Sequence, residues 1–158
     1  MKNILFLDFD GVMVTDRYQT QLMDDGPQLH VDEYGYKFDP VCVENLRQII
    51  ESTDAEIVVT STWKMERGLS GIQRMWEARH LPGRVIGVTP DIDPIHRGNE
   101  IEGWLDANLG AVHYAIIDDC PFTEFFREEQ LPFLFKVDER TGLDEETTKK
   151  IVENLKQL

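Results

Sequence analysis

Basic residues are scarce in this chain: 16 Lys and Arg stand against 30 Asp and Glu, a formal charge of −14 over 158 residues. General adhesion to nucleic acid or to an anionic membrane needs a positive footprint, so no strong non-specific nucleic-acid binding and no membrane partner are expected. Cysteine is nearly absent. Cys42 and Cys120, without paired spacing, exclude a disulfide framework and a thiolate zinc site and fit a reducing compartment, so a cytoplasmic protein is expected. No apolar run approaches membrane-spanning length and a strand begins almost at the N-terminus, so neither an anchor nor a signal peptide is expected. His30, His80, His96 and His113 share no spacing suited to a metal and receive no catalytic role. Repeats and low-complexity tracts are lacking, and the length indicates a single domain over residues 1–158.

What is present begins with Asn3-Ile4-Leu5-Phe6-Leu7-Asp8-Phe9-Asp10-Gly11-Val12. An apolar strand ends in two carboxylates one residue apart, and strand alternation sends Asp8 and Asp10 to the same side. Gly11 permits a sharp turn after them. Two anions in one small volume call for a cation between them or a proton on one. Both outcomes serve phosphoryl transfer, since an ionised Asp can attack phosphorus and a protonated one can donate to a leaving oxygen. An EF-hand loop is excluded, because it would follow a helix and need further oxygen ligands at fixed offsets.

Four more apolar runs read as strands: Glu56 to Thr60, Arg84 to Val88, His113 to Ile117 and Phe133 to Val137. Helical patterns separate and follow them. Asp39-Pro40 is a cap with first-turn proline ahead of Cys42, Leu46, Ile49 and Ile50. Leu69, Ile72, Met75 and Trp76 form a second apolar face, Asn99 with Glu102 reads as a cap for a third helix, and a last helix starts near Asp144. Alternation of this kind indicates a doubly wound α/β fold with ligands at the carboxyl ends of the strands. Residues 15–38 are polar, contain the pair Tyr34 and Tyr36, and read as a hairpin-like flap over the site, with a plain surface loop as the alternative.

The other polar clusters also follow strands. Thr60-Ser61-Thr62 offers hydroxyls where a strand feeds a helix, with Thr60 as the expected phosphate contact and Ser61 next. Asp118-Asp119 follows four apolar residues. Magnesium takes oxygen ligands and commonly one or two protein carboxylates, so Asp8, the backbone carbonyl of Asp10 and Asp118 form the expected set, with Asp119 pointing away and supporting it. A cation is needed to steady the phosphoryl group; Arg97 is the first candidate and Lys64 its rival. Cys120 reads as a packing residue; Trp63 and Trp104 read as core or pocket wall, with stacking against a nucleobase open to Trp63 and to the flap tyrosines.

The set Asp8-Phe9-Asp10-Gly11-Val12, Thr60, Arg97 and Asp118-Asp119 resembles the haloacid-dehalogenase (HAD) superfamily of phosphohydrolases. The resemblance implies Asp8 as nucleophile, Asp10 as general acid then base, Thr60 and Arg97 as phosphate contacts and Asp118 as ligand to Mg2+. It also implies a three-layer Rossmann-like HAD fold with a five-stranded, mostly parallel sheet of order 3-2-1-4-5 and a minimal cap. Thr60-Ser61-Thr62-Trp63-Lys64, Val85-Ile86-Gly87-Val88-Thr89-Pro90 and Thr141-Gly142-Leu143 are similar to signatures of the small HAD domains associated with Swiss Army Knife RNA repair proteins, although Lys64 stands where that likeness calls for Arg. The expectation is a magnesium-dependent phosphatase with an open site, acting on a phosphorylated small molecule, nucleotide or nucleic-acid end. The alternatives are a non-enzymatic metal- or phosphate-binding module and a phosphotransferase or phosphomutase.

Overall fold

The computed structural model describes residues 2–108, 110 and 112–156, so the ends of the expected domain, residues 1, 157 and 158, lie outside it. β1 (Lys2–Leu7) is the central strand of a five-stranded sheet. β4 (Glu56–Val59) and β6 (Val112–Asp118) pair with its two sides, and β5 (Val85–Val88) and β7 (Leu134–Lys136) form the edges. Every pairing in this sheet is parallel. Counted within the sheet, the order is third, second, first, fourth, fifth. A separate antiparallel hairpin, β2 (Val31–Asp32) with β3 (Gly35–Tyr36), shifts the running numbers so that the sheet reads β5-β4-β1-β6-β7.

The strands are apolar throughout because both faces are covered. Leu5, Leu7, Ile57, Val59, Ala115 and Ile117 face one way, toward α2 (Pro40–Thr53), α3 (Trp63–Ala78) and α5 (Glu145–Lys156). Ile4, Phe6, Val58 and Ile116 face the other way, toward Ile101 and Trp104 of α4 (Arg97–Ala107) and Phe126. Phe6 meets Trp104 and Tyr114 edge-on at centroid distances of 5.6 and 5.7 Å. At the other end of the chain, Asp144 caps α5 by accepting from the Thr147 amide at 2.8 Å.

Two local expectations need correction. Residues 15–38 are more than a hairpin: α1 (Asp16–Asp25) occupies the first half, capped by Thr15, whose hydroxyl accepts from the Tyr18 amide at 3.1 Å. Gln19 is the sole buried residue in that helix, so no apolar stripe announces it. The third helix begins at Arg97, with His96 ahead of it, so Asn99 lies inside the first turn. Asn99 instead donates to Asp93 at 2.9 Å and accepts from Arg127 at 3.0 Å, tying the loop before the helix to the segment after β6.

Candidate active site

Parallel register builds the site. Leu7 pairs with Val59 on one side and Ile117 on the other, and Val59 pairs with Val88. The next residue in each strand direction is therefore Thr89, Thr60, Asp8 and Asp118, side by side across four strand ends. Backbone bonds continue the ladder through them: Thr60 N–H to Leu7 O at 3.0 Å, Thr89 N–H to Val59 O at 3.0 Å and Asp8 N–H to Ile117 O at 3.2 Å. Leu7, Val59 and Ile117 point toward α2, α3 and α5. By alternation their successors turn to the opposite face, the one covered by α4, and Arg97 is the first residue of α4.

Arg97 reaches both carboxylates. Its Nη1 lies 2.9 Å from Asp8 Oδ2 and 2.8 Å from Asp118 Oδ2. Asp8 is 2 % exposed and Asp118 is 1 % exposed. Burial holds the Asp8 carboxyl well above the usual carboxylate range, Asp118 and Asp119 add to the rise, and Arg97 opposes it. Asp119 is also raised, by burial and then by Asp118. Burial disfavours the charge on Arg97, but Asp8 and Asp118 overcome this and raise its pKa. One oxygen of Asp8 accepts from the Phe9 amide at 2.9 Å and one of Asp118 from the Cys120 amide at 2.9 Å, which fixes the rotamer of each.

Asp8, Asp118 and Asp119 each bring a carboxylate oxygen within 4.8 Å of the others. Three carboxylates and one guanidinium leave two formal negative charges in a largely buried space, which a divalent cation with a preference for oxygen would neutralise. The donor set fits Mg2+. Asp119, expected to point away, turns into the cluster. It packs on Gly11, where a side-chain carbon would fall 2.0 Å from Asp119 Oδ2, and where φ is +79°. That close approach is why glycine follows Asp10.

Asp10 stands apart from this cluster. The convergence expected between Asp8 and Asp10 is found between Asp8 and the pair at the end of β6. Asp10 is exposed, and both its oxygens accept from Trp63 Nε1 at 3.2 Å. It borders two clefts of about 380 and 370 Å³ that share His30 and Tyr36 of the flap. A larger cleft of about 520 Å³ lies among Gln73, Trp76, His80 and Arg84, at the opposite end of β5.

The hydroxyls divide by role. Thr60 is 6 % exposed and its hydroxyl is buried without a partner, a state that a phosphate oxygen would relieve. Ser61, also expected as a phosphate contact, is fully buried, and its hydroxyl accepts from the Trp63 amide at 3.2 Å in the turn that leads into α3. Lys64, the rival cation, does not join the carboxylate cluster: its Nζ donates to Thr89 Oγ1 and Glu100 Oε1, both at 2.8 Å. The second oxygen of Glu100 accepts from the amides of Ile92 at 3.0 Å and Asp93 at 3.2 Å. Sequence reasoning missed Glu100, Thr89 and the Trp63–Asp10 contact. An acidic residue on a helix carries no signal of being buried, and indole direction is set only by tertiary packing.

A family model described as the HAD domain in Swiss Army Knife RNA repair proteins matches residues 4–148. Searches of curated proteins and of solved structures return no match. No helix among the described residues is long and apolar enough to cross a membrane.

Proposed function

The chain belongs to the HAD-domain family of Swiss Army Knife RNA repair proteins, and from that membership and the site geometry we propose that it is a magnesium-dependent phosphomonoester hydrolase working through an aspartyl-phosphate. The observation that carries the reading is the buried cluster of Asp8, Asp118 and Asp119 bridged by Arg97 at the ends of adjacent parallel strands. Asp8, Asp118 and Asp119 would hold Mg2+, which when bound supplies charge neutralisation to carboxylates and phosphoryl oxygens.

The chain's own groups account for the rest. The Asp8 carboxylate bonds to phosphorus as the bond to the leaving oxygen breaks. Asp10, poised at the two clefts, gives its proton to that oxygen and then takes one from the water that attacks the aspartyl-phosphate, releasing phosphate and restoring Asp8. Arg97 and the Thr60 hydroxyl hold the phosphoryl oxygens, and the positive charge on Arg97 offsets what develops in the transition state. Trp63 fixes the direction of Asp10, while Lys64 and Glu100 lock the loop that delivers Arg97.

The family's association with RNA repair proteins puts nucleic-acid end phosphates, beside nucleotides and small phosphoesters, among the classes of substrate to be tried. Release of phosphate from an aryl phosphate is the test. Turnover that needs Mg2+, stops with chelator and is lost in Asp8→Asn is the expected result, and metal-independent turnover or full activity in Asp8→Asn overturns the assignment.

A further inference from the structure

The cleft of about 380 Å³ beside Asp10 is walled by Asp16, Gln19, His30, Asp119 and Glu139, and no Lys or Arg lines it among the described residues. Asp16 and Glu139 belong to different segments, α1 and the loop after β7, and are held together by the Asp16 amide donating to the Glu139 carbonyl at 3.2 Å. The basic residues that follow Asp16 and Glu139 in the chain are engaged elsewhere: Arg17 pairs with Asp39 at 2.8 Å and Arg140 with Asp138 at 2.6 Å.

Two polar atoms in the same wall lack partners. Gln19 is 9 % exposed, its amide nitrogen donates to the Lys37 carbonyl at 2.9 Å, and its Oε1 is buried with no donor. The Lys37 carbonyl can only accept, so this contact fixes which end of the amide is the oxygen. His30 stacks on Tyr36 at a centroid distance of 6.2 Å, and its Nδ1 is buried without a partner. A buried acceptor without a donor is costly, so this wall asks for a ligand that donates.

We infer that this cleft receives the leaving group of the phosphoester and selects one that carries hydrogen-bond donors and positive or no charge, an amino alcohol in the strongest case. The inference rests on the phosphatase reading for the phosphate end of the ligand. It narrows the substrate classes named above: an ester whose leaving alcohol brings a second phosphate or a carboxylate into this space meets acceptors and anions there. The ammonium group of the favoured ester donates to Gln19 Oε1 while Asp16 and Glu139 balance its charge.

Binding of O-phosphoethanolamine, propyl phosphate and phosphoglycolate, three esters of similar size, to Asp8→Asn protein with Mg2+ present tests this by calorimetry at low salt. The expected order of affinity is ammonium over neutral over carboxylate, with at least a tenfold difference between the extremes. Adding Asp16→Asn with Glu139→Gln, or Gln19→Leu, shrinks that ratio at least threefold, whereas Glu145→Gln with Glu146→Gln on the exposed face of α5 changes it less than twofold. Equal or reversed affinities, no binding of the ammonium ester at millimolar concentration, or the same ratio in all variants would overturn the inference. Absence of turnover of all three esters by the unmodified protein would instead count against the phosphatase reading, and the order of affinities still decides this one.

Discussion

At the scale of single residues, the decisive feature is a buried carboxylate that is unfavourable until a cation arrives. Between the ordinary carboxyl value of 3.8 and its raised value in the fold, Asp8 keeps a proton that the unfolded chain has lost. Metal-free protein therefore loses stability as pH rises through that window and regains it as pH falls. Asp8→Asn removes the desolvated charge, so at pH 7.5 with chelator its Tm is expected to exceed that of the unmodified protein by about 2 °C or more. Thermal scans with added Mg2+ should erase or reverse the difference, while turnover in the variant stays at background. Gly11 gives a second residue-scale expectation. An alanine there strains a backbone at φ +79° and displaces the Asp119 carboxylate, so Gly11→Ala should lower kcat at least about tenfold, the equivalent of about 1.4 kcal/mol in the barrier. Steady-state kinetics on an aryl phosphate reads this directly.

At the scale of elements, the site depends on how α3, the end of β5 and the start of α4 are clamped together. Lys64 and Glu100 side chains are 5 % and 9 % exposed, and each is the other's charge partner. Removal of one leaves the other buried and unpaired, a change that costs about 3–5 kcal/mol. Lys64→Met should therefore destabilise the protein by about that amount in urea, and Lys64→Met with Glu100→Gln by clearly less. If Lys64 instead contacted phosphate, Lys64→Met would raise KM with little loss of stability. Gly142, at φ +65° and with room for no side chain beside the Val12 carbonyl, fastens the tail loop to the turn after β1, so Gly142→Ala should also cost more than about 1 kcal/mol. These elements also show what a linear chain reveals. Asp8, Thr60 and Asp118 were legible because each ends an apolar run, and the parallel register then aligns those ends. α1 was hidden because its buried face is a single glutamine, and the true role of Lys64 was hidden because its partner lies 36 residues away. The inward turn of Asp119 depends on the space left by Gly11, which only the folded backbone creates.

At the scale of the whole molecule, a charge of −14 opposes the approach of a dianionic phosphoester, and only the site's own cations reverse the field locally. Long-range repulsion is screened by salt and contact interactions are screened much less. For an aryl phosphate at fixed Mg2+, kcat/KM should therefore rise roughly twofold as ionic strength increases from about 0.01 to 0.15 M; a steep fall would show that a positive surface steers the substrate. The same architecture explains why Asp10 stays exposed: α4, which begins at Arg97, is followed by β6 with no further helix or strand between them among the described residues, and the insertion after β1 contributes only α1 and a two-strand hairpin. The account as a whole turns on a covalent bond between Asp8 and phosphorus. Rapid acid quench of the protein during turnover with Mg2+, followed by mass spectrometry of its peptides, should find phosphate on Asp8 and find none when chelator is present. Vigorous Mg2+-dependent release of phosphate with no trace of phosphorylated Asp8, and with turnover preserved in Asp8→Asn, would contradict it.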